Sequence, residues 1–304
     1  MKLALITGIS GFLGSHIAKQ LADQGTAVIG LKRATSSLDQ LAMMGIADKI
    51  ELHNFEQESI NLFSLLKGRR VDAIFHTAAR TSFIATEAEA IDLINTNVRF
   101  PCRLLDQAKK SNLVGSFINA GTSWQSADGQ NYTPLNFYAA TKEAFEKALS
   151  LSASDKFPCA TLRLFDTYGP GDKRGKIIDL LIRATLEGKP LDMSPGEQHM
   201  YFLHIRDVAA AFLQAAKLAA AGNTLGHQIY SVPARNSIRL RDAATLIGQL
   251  AGKEPPVRWG QRDYHPNQIM TAVASHPPVP GWQPSISLND GVQELIRAYQ
   301  AKRA

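Results

Sequence analysis

The chain has 304 residues and a formal net charge of +6, and 45% of its residues are apolar while 20% are charged. This ordinary globular balance excludes a mainly disordered chain, and the length allows one large unit or two lobes. Two cysteines exclude a disulfide framework and fit a reducing cytoplasm, where we expect the protein to reside. No apolar run approaches the roughly 20 residues of a membrane-spanning helix. The positive excess is scattered, which favours an anionic small molecule over nucleic acid or a membrane surface.

Short apolar runs alternate with helical stretches through the first half of the sequence. Strands are predicted at residues 2–7, 27–31, 50–53, 73–76, 116–120 and 159–165, with helices at 14–24, 98–108 and 138–150. Such alternation is typical of a parallel sheet covered by helices on both faces. The second half is less regular, with predicted helices at 177–186, 208–219, 241–251 and 288–300, and with seven of the fourteen prolines in residues 254–284.

A glycine-rich segment follows the first predicted strand, with the sequence Thr7-Gly8-Ile9-Ser10-Gly11-Phe12-Leu13-Gly14. Gly8 allows a tight turn, Gly11 lets the backbone approach a pyrophosphate, and Gly14 lets the following helix pack closely on the strand. The helix N-terminus then offers unpaired N–H groups to the phosphates. The segment predicts a dinucleotide-binding site, and the alternative is a tight strand–helix turn without a ligand.

The end of the second predicted strand indicates which dinucleotide is bound. An acidic residue there would bond the ribose 2′-hydroxyl of NAD, but Leu31 is followed by Lys32 and Arg33, and the next acid is Asp39. Ammonium and guanidinium groups attract a 2′-phosphate. We therefore predict NADP(H) as the cofactor, with a solvated basic pair as the alternative.

Tyr138 and Lys142 are four residues apart, which places them on one face of a helix. A free tyrosine, with a pKa of about 10, is a weak acid at neutral pH, and a nearby ammonium group together with an oxidised nicotinamide should lower that pKa. Such a tyrosine can exchange a proton with a sugar or steroid oxygen while hydride moves at the same carbon. A helical tyrosine is more often a core or surface residue, but the upstream glycine segment favours catalysis.

Together these residues resemble the short-chain dehydrogenase/reductase superfamily, in its extended branch that acts on nucleotide-linked sugars. The resemblance spans essentially the whole chain, and it includes Thr7–Gly14, His76–Ala79, Asn97, Tyr138, Lys142, Leu162–Pro170, Phe202–Val208 and Gly281–Pro284. It implies an α/β fold with a Rossmann-type doubly wound parallel sheet in an NADP-binding domain at residues 1–165. A smaller C-terminal α/β substrate lobe at 166–304 is expected, with 208–222 packing back on the first domain. Homodimers through the helices around Asn97 and Tyr138 are also implied.

The resemblance also implies a set of site residues. Thr122 is the third catalytic group beside Tyr138 and Lys142, with Ser123 as the alternate. The implied cofactor-binding residues are Gly8, Ser10, Gly11, Phe12, Leu13, Gly14, Lys32, Arg33, Asn54, Phe55, Ala78, Ala79, Tyr138, Lys142 and Leu164. The implied substrate-binding residues are Ser123, Trp124, Asp166, Arg174 and Arg262. No spacing of histidine, cysteine or acidic residues suggests a metal site.

Departures from the family pattern narrow the reaction. Dehydratases of this branch carry acids after the catalytic threonine, whereas Thr122 is followed by Ser123-Trp124-Gln125, so a dehydratase is not expected. The basic pair favours a reductase that releases NADP⁺ over an epimerase that keeps NAD bound. Met200 replaces a phosphate-binding arginine of the family, and His199, Arg174 or Arg262 are candidates to replace it.

The segments Gly121–Gln125 and Leu164–Asp172 look most like bacterial synthases that reduce the 4-keto group of CDP-linked dideoxyhexoses. The implied reaction is NADPH-dependent reduction at C4, in which Tyr138 protonates the oxygen, Lys142 holds the ribose and Thr122 orients the carbonyl. A C4 epimerase acting on a UDP- or CDP-sugar is the enzymatic alternative. A nucleotide-sensing regulator without turnover is the other alternative, and the intact Tyr138 and Lys142 pair argues against it.

Overall fold

The computed structural model describes residues 1–55, 60–81, 86–129, 133–222 and 226–301. The strands are β1 Leu3–Thr7, β2 Ala27–Lys32, β3 Ile50–Asn54, β4 Ala73–His76, β5 Phe117–Thr122, β6 Cys159–Leu164, β7 Asp166–Tyr168, β8 Leu191–Met193, β9 His199–Met200, β10 Phe202–His204, β11 His227–Val232, β12 Ile238–Arg239 and β13 Val257–Trp259. The α-helices are α1 Phe12–Asp23, α2 Asp39–Met43, α3 Leu62–Leu66, α4 Glu87–Ile94, α5 Phe100–Ser111, α6 Phe137–Ser152, α7 Ile177–Glu187, α8 Ile205–Ala220, α9 Leu240–Ala251 and α10 Leu288–Ala301. A π-helical turn, Asn95–Arg99, joins α4 to α5.

Seven parallel strands form the main sheet in the spatial order β11-β6-β5-β4-β1-β2-β3. The order reverses beside β1, because the chain first winds toward β3 and then returns to the other side through β4. Ligands bind at such a switch point, beyond the carboxyl ends of the strands. Register pairs Thr7 with His76 and Thr122 with Leu164 at that edge. The predicted doubly wound parallel α/β fold is confirmed.

Alternate residues of each central strand face opposite sides of the sheet. Ile6 packs in the core that also contains Ile17 of α1 and Phe212 of α8, whereas Leu5 faces the core that contains Leu104 of α5 and Phe145 of α6. Both faces are thus buried, which explains why these strands are almost continuously apolar. No helix among the described residues is both long enough and apolar enough to cross a bilayer.

Strand β11 was not predicted from the sequence. Only its second half is fully buried, because it lies at the edge of the sheet and pairs with β6 alone. The apolar run is consequently too short to stand out. Helix α8 packs against α1 and carries the chain from the C-terminal lobe back to this strand. Residues 227–232 therefore lie in the main sheet and not with the lobe to which the predicted boundary at residue 165 assigned them, while the functional division into two domains stays a prediction.

The C-terminal segments form a core of their own. It contains Leu181 of α7, Ile247 of α9 and Leu295 of α10. Three two-stranded sheets accompany it, in which β7 pairs with β10, β8 with β13 and β9 with β12. This arrangement brings the loop after β7 to the carboxyl edge of the main sheet.

Candidate active site

A cleft of about 800 Å³ opens at the carboxyl ends of the central strands. This volume lies within the roughly 300–1,000 Å³ that is usual for ligand pockets. The predicted site residues that line it are Ser10, Gly11, Phe12, Leu13, Arg33, Ala79, Thr122, Ser123, Trp124, Tyr138, Lys142, Leu164, Asp166 and Arg174. One concavity thus collects residues from the glycine segment, from the ends of β2, β4, β5 and β6, from α6 and from β7 and the loop after it.

The glycine segment has the geometry that a pyrophosphate requires. Gly8 has a φ of +68°, and a Cβ there would lie 2.8 Å from the backbone of Ala78. A Cβ at Gly14 would collide with the carbonyl oxygen of Gly8, so both glycines serve the close packing of the turn and not the cleft wall. Gly11 caps the N-terminus of α1, and within the described residues no side chain caps that helix and no acid lies in its first turn. The positive end of the helix is therefore free for an anion, and the segment fits a dinucleotide cofactor.

Only one residue of the basic pair at the end of β2 lines the cleft. Arg33 lines the cleft, whereas the Lys32 ammonium donates a hydrogen bond to the carbonyl oxygen of Arg33 at 3.3 Å and does not line it. Ser36 and Ser37 line the cleft beside Arg33, and Lys173 joins them from the loop after β7. The structure therefore supplies a second cation that the sequence reasoning missed, since Lys173 is distant in the chain.

Other predicted cofactor residues lie away from the cleft wall. Asn54 ends β3 and is exposed. The ring of Phe55 stacks on Phe100 with 4.6 Å between ring centroids, because it packs into the core beneath the sheet. Ala78 touches the turn at Gly8. Contacts from these residues to a cofactor stay predictions.

Tyr138 and Lys142 lie in the first turns of α6, which begins where the Asn136 side chain accepts the Ala139 N–H at 3.0 Å. Burial raises the pKa of Tyr138 to about 12, and the charge of Arg174 opposes that shift. In the chain alone, desolvation of the phenolate outweighs the charge of Arg174, so the tyrosine pKa is not lowered. The side chain is accordingly held as a phenol. Lowering of this pKa by Lys142 and a bound oxidised nicotinamide stays a prediction.

Lys142 is only 2% exposed. Burial lowers the pKa of its amine to about 8, and the carboxylate of Glu146, one helical turn further on, opposes that shift. The amine still carries its proton at neutral pH. Asn97, in the π-helical turn, donates to the hydroxyl of Thr141 at 3.0 Å and to the carbonyl oxygen of Arg80 at 2.9 Å, so it ties α6 to the loop after β4.

Thr122 ends β5, and its hydroxyl accepts the N–H of Trp124 at 3.3 Å. The Trp124 ring meets the Tyr138 ring edge to face, with 6.4 Å between centroids. The ammonium of Lys176 lies 5.8 Å from the centre of the Trp124 ring. Trp124 therefore forms an aromatic wall of the cleft beside the tyrosine.

The predicted substrate residues divide into two groups. Arg174 lies over the Phe12 ring at 4.5 Å and is anchored by Asp172 at 2.7 Å, so it reaches the glycine segment. Burial raises the pKa of Asp166, while Lys176 and Arg174 oppose that shift. Arg262 is separated from both, because it follows β13, which pairs with β8, and its N–H bonds the carbonyl of Met193 at 3.2 Å. The structure does not bring Arg262 to the cleft wall, whereas Lys176, which the sequence reasoning passed over, does line it.

A parallel Rossmann sheet, a glycine turn and a Tyr-x-x-x-Lys helix at one edge define an enzyme of the extended short-chain dehydrogenase/reductase type. The model of the NAD dependent epimerase/dehydratase family matches residues 4–232. The chain belongs to this family, and it is a nucleotide-sugar-modifying enzyme within it.

Individual relatives carry two different activities in their names. The chain is 30% identical to the CDP-abequose synthase of Yersinia pseudotuberculosis over 210 residues, which cover 69% of this chain and 71% of that protein. It is 23% identical to the UDP-glucuronate 4-epimerase of Thermodesulfobacterium geofontis, with 96% and 94% covered. The crystal structure of the UDP-glucose 4-epimerase of Thermotoga maritima superposes with a TM-score of 0.83 at 19% identity, and the match covers 99% of this chain and 100% of that one. The last likeness supports the fold.

Proposed function

We propose that this enzyme uses NADPH to reduce the 4-keto group of a nucleotide-linked 6-deoxy or dideoxy hexose, with Tyr138 as the proton donor. The proposal rests on one observation: the Tyr138 and Lys142 pair shares its cleft with cationic side chains at Arg33 and Lys173. Hydride reduction at neutral pH needs a proton donor beside the new alkoxide. The likeness to a CDP-abequose synthase supports the same direction of reaction.

The side chains of the cleft divide the work. Tyr138, held as a phenol, donates its proton to the C4 oxygen, since an alkoxide is a stronger base than a phenolate. Lys142 keeps its positive charge below about pH 8, which stabilises the phenolate left behind. The Thr122 hydroxyl orients the carbonyl, and Trp124 packs on a sugar face and excludes water. Bound NADPH supplies the hydride.

Cofactor choice depends on the cations near the end of β2. A 2′-phosphate requires positive charge and hydroxyl donors, and Arg33, Lys173, Ser36 and Ser37 line the cleft together. The double variant R33A/K173A should raise the KM for NADPH at least tenfold and leave the KM for NADH within about twofold. R70A, which removes an exposed arginine elsewhere, is the matched control. Equal changes for both cofactors would refute the preference.

The substrate diphosphate needs its own cations, because Met200 stands where the family carries arginine. Arg174 and Lys176 are the cations that line the cleft beside Asp166 and Trp124, and we assign them this role. Thermal unfolding with CDP, GDP, UDP or dTDP should identify the nucleoside, because a ligand that binds the folded state raises its melting temperature. The shift with the preferred nucleotide should disappear in R174A/K176A.

Reduction and epimerisation differ in stoichiometry, which provides the test. Mixing the enzyme with NADPH and a 4-keto nucleotide sugar should consume one NADPH for each molecule of product. The decrease in the absorbance of the reduced nicotinamide measures this consumption. A C4 epimerase, which the likeness to UDP-glucuronate 4-epimerase favours, would form product with no net change in absorbance. Product without NADPH loss would therefore overturn the proposed reduction.

We also propose a homodimer in the cytoplasm. Within the described residues, Ala144 and Leu151 are exposed on one face of α6, and Leu151 is 89% exposed. Light scattering should give twice the chain mass. L151E should return the protein to the monomer, because a carboxylate cannot be buried in an apolar contact without a partner.

A further inference from the structure

Gln125 is completely buried and does not line the cleft. Its side-chain oxygen accepts the backbone N–H of Thr122 at 2.9 Å. Its amide nitrogen donates to Glu143 at 2.7 Å and to Glu146 at 3.0 Å. One amide group therefore joins the end of β5, where Thr122 lies, to the helix that carries Tyr138 and Lys142.

The two carboxylates on α6 are themselves held by Arg163 of β6. Arg163 donates to Glu146 at 2.6 Å, to Glu143 at 3.0 Å and to the hydroxyl of Ser126 at 2.8 Å. Arg163, Glu143 and Glu146 are each less than 5% exposed. Buried charges cost stability unless each one is paired and hydrogen-bonded, and this group meets that condition. It is therefore a rigid support to which Gln125 is attached.

The turn after β5 leaves Thr122 little freedom. Its hydroxyl accepts the Trp124 N–H while Gln125 accepts the Thr122 N–H, which is a capping box on a single 3₁₀ turn. On the helix side, Glu143 directly follows Lys142 in the chain. The hydrogen bonds of Gln125 thus connect the turn that contains Thr122 to the helix that contains Tyr138 and Lys142.

We propose that Gln125 is a positioning residue, which sets the Thr122 hydroxyl relative to Tyr138 and Lys142 through Glu143 and Glu146. Its kinetic consequence rests on the reduction proposed above, whereas its structural consequence does not. Glutamine suits this place because an amide both donates and accepts, whereas an ionised carboxylate only accepts, and methionine cannot donate and accepts only weakly through its sulfur. A catalytic group that is misplaced by a fraction of an ångström loses much of its rate advantage.

The test compares Q125M, which keeps the size of the side chain but loses all three hydrogen bonds, with S126A. The S126A variant removes a partner of Arg163 in the same buried network and leaves the tie to Thr122 intact. Q125M should lower kcat at least tenfold with the KM for NADPH within about twofold, whereas S126A should keep kcat within about twofold. Q125N retains an amide on a shorter side chain, so its kcat should lie between those of Q125M and S126A. If Q125M fails to fold, the kcat of Q125N tests the inference instead.

Amide hydrogen exchange at Thr122 provides an arm that needs no substrate. The wild-type amide should be protected by Gln125 and should exchange at least tenfold faster in Q125M but not in S126A. If the wild-type protein showed no turnover, the proposed reduction would be refuted but the positioning role would not. The rate of amide exchange at Thr122 would then test the positioning role. Unchanged exchange in Q125M, or a loss of kcat in S126A equal to that in Q125M, would overturn the inference.

Discussion

Replacing Lys142 with methionine should stabilise the folded chain while ending its turnover. The side chain is 2% exposed, and burial lowers its pKa from 10.5 to about 8. That difference is equivalent to about 3 kcal/mol, because a tenfold change in an equilibrium corresponds to about 1.4 kcal/mol. This free energy is the cost of holding a charged amine inside the folded chain. Methionine fills a similar volume without charge, so K142M should gain about 1–3 kcal/mol in unfolding free energy below pH 8.

The pH dependence of this gain has a definite sign. The unfolded chain keeps the Lys142 proton up to about pH 10.5, while the folded chain releases it near pH 8. Between these values the unfolded state binds more protons, so this group makes wild-type stability rise with pH. The advantage of K142M should therefore be full below pH 8 and nearly gone at pH 10.5. Urea unfolding of cofactor-free protein at both pH values measures it.

The matched control is K147M. The Lys147 side chain is 71% exposed and pairs with Glu143 at 3.3 Å, so its loss should change the unfolding free energy by less than about 1 kcal/mol at either pH. A K142M protein that is less stable than wild type below pH 8, or an advantage that is the same at both pH values, would refute the reasoning. Measurable turnover by K142M would contradict the catalytic role.

Three further substitutions test other parts of the structure. Y138F should lower kcat by about 10²–10⁴-fold and leave the KM for NADPH unchanged in steady-state kinetics. A kcat equal to that of the wild type would contradict the mechanism. G8A should lower the melting temperature more than G45A does. Both glycines have a positive φ, but of the two only Gly8 would bring a Cβ against backbone atoms, and equal decreases would refute the close packing. R163M should cost about 3–5 kcal/mol in urea unfolding, because it removes the cation that pairs with the buried carboxylate of Glu146 and one of the two cations that pair with Glu143. R69M, which breaks the exposed pair with Glu51, should cost less than about 1 kcal/mol, and a similar cost for both would show that burial is irrelevant.

Features that depend on neighbours in the chain were predictable from the sequence. A strand, a glycine turn and a helix follow each other within residues 3–23, so their spacing alone indicated a dinucleotide site. Tyr138 and Lys142 share a helix face because four residues make about one turn. The alternation of buried strands with helices likewise indicated the parallel sheet.

Contacts between distant segments were not predictable in the same way. Strand β11 is recognisable only beside β6, since half of it is incompletely buried. Lys173 meets the Arg33 region through the loop after β7, and no local pattern signals that contact. Arg262 and Arg174 were equivalent candidates in the sequence for binding the substrate diphosphate. Because β13 pairs with β8, Arg262 does not line the cleft.

The class of fold, the glycine turn and the tyrosine–lysine pair were recognisable in the sequence, because each depends on residues a few positions apart. The burial of Tyr138 and the hydrogen bonds of Gln125, in contrast, depend on contacts between segments that are distant in the chain. A pKa depends on how much water the fold removes, and burial of Tyr138 outweighs the charge of Arg174. In the sequence, Gln125 was notable only because dehydratases carry acidic residues after the catalytic threonine. In the fold, β5 packs against α6, and Gln125 forms hydrogen bonds to both elements.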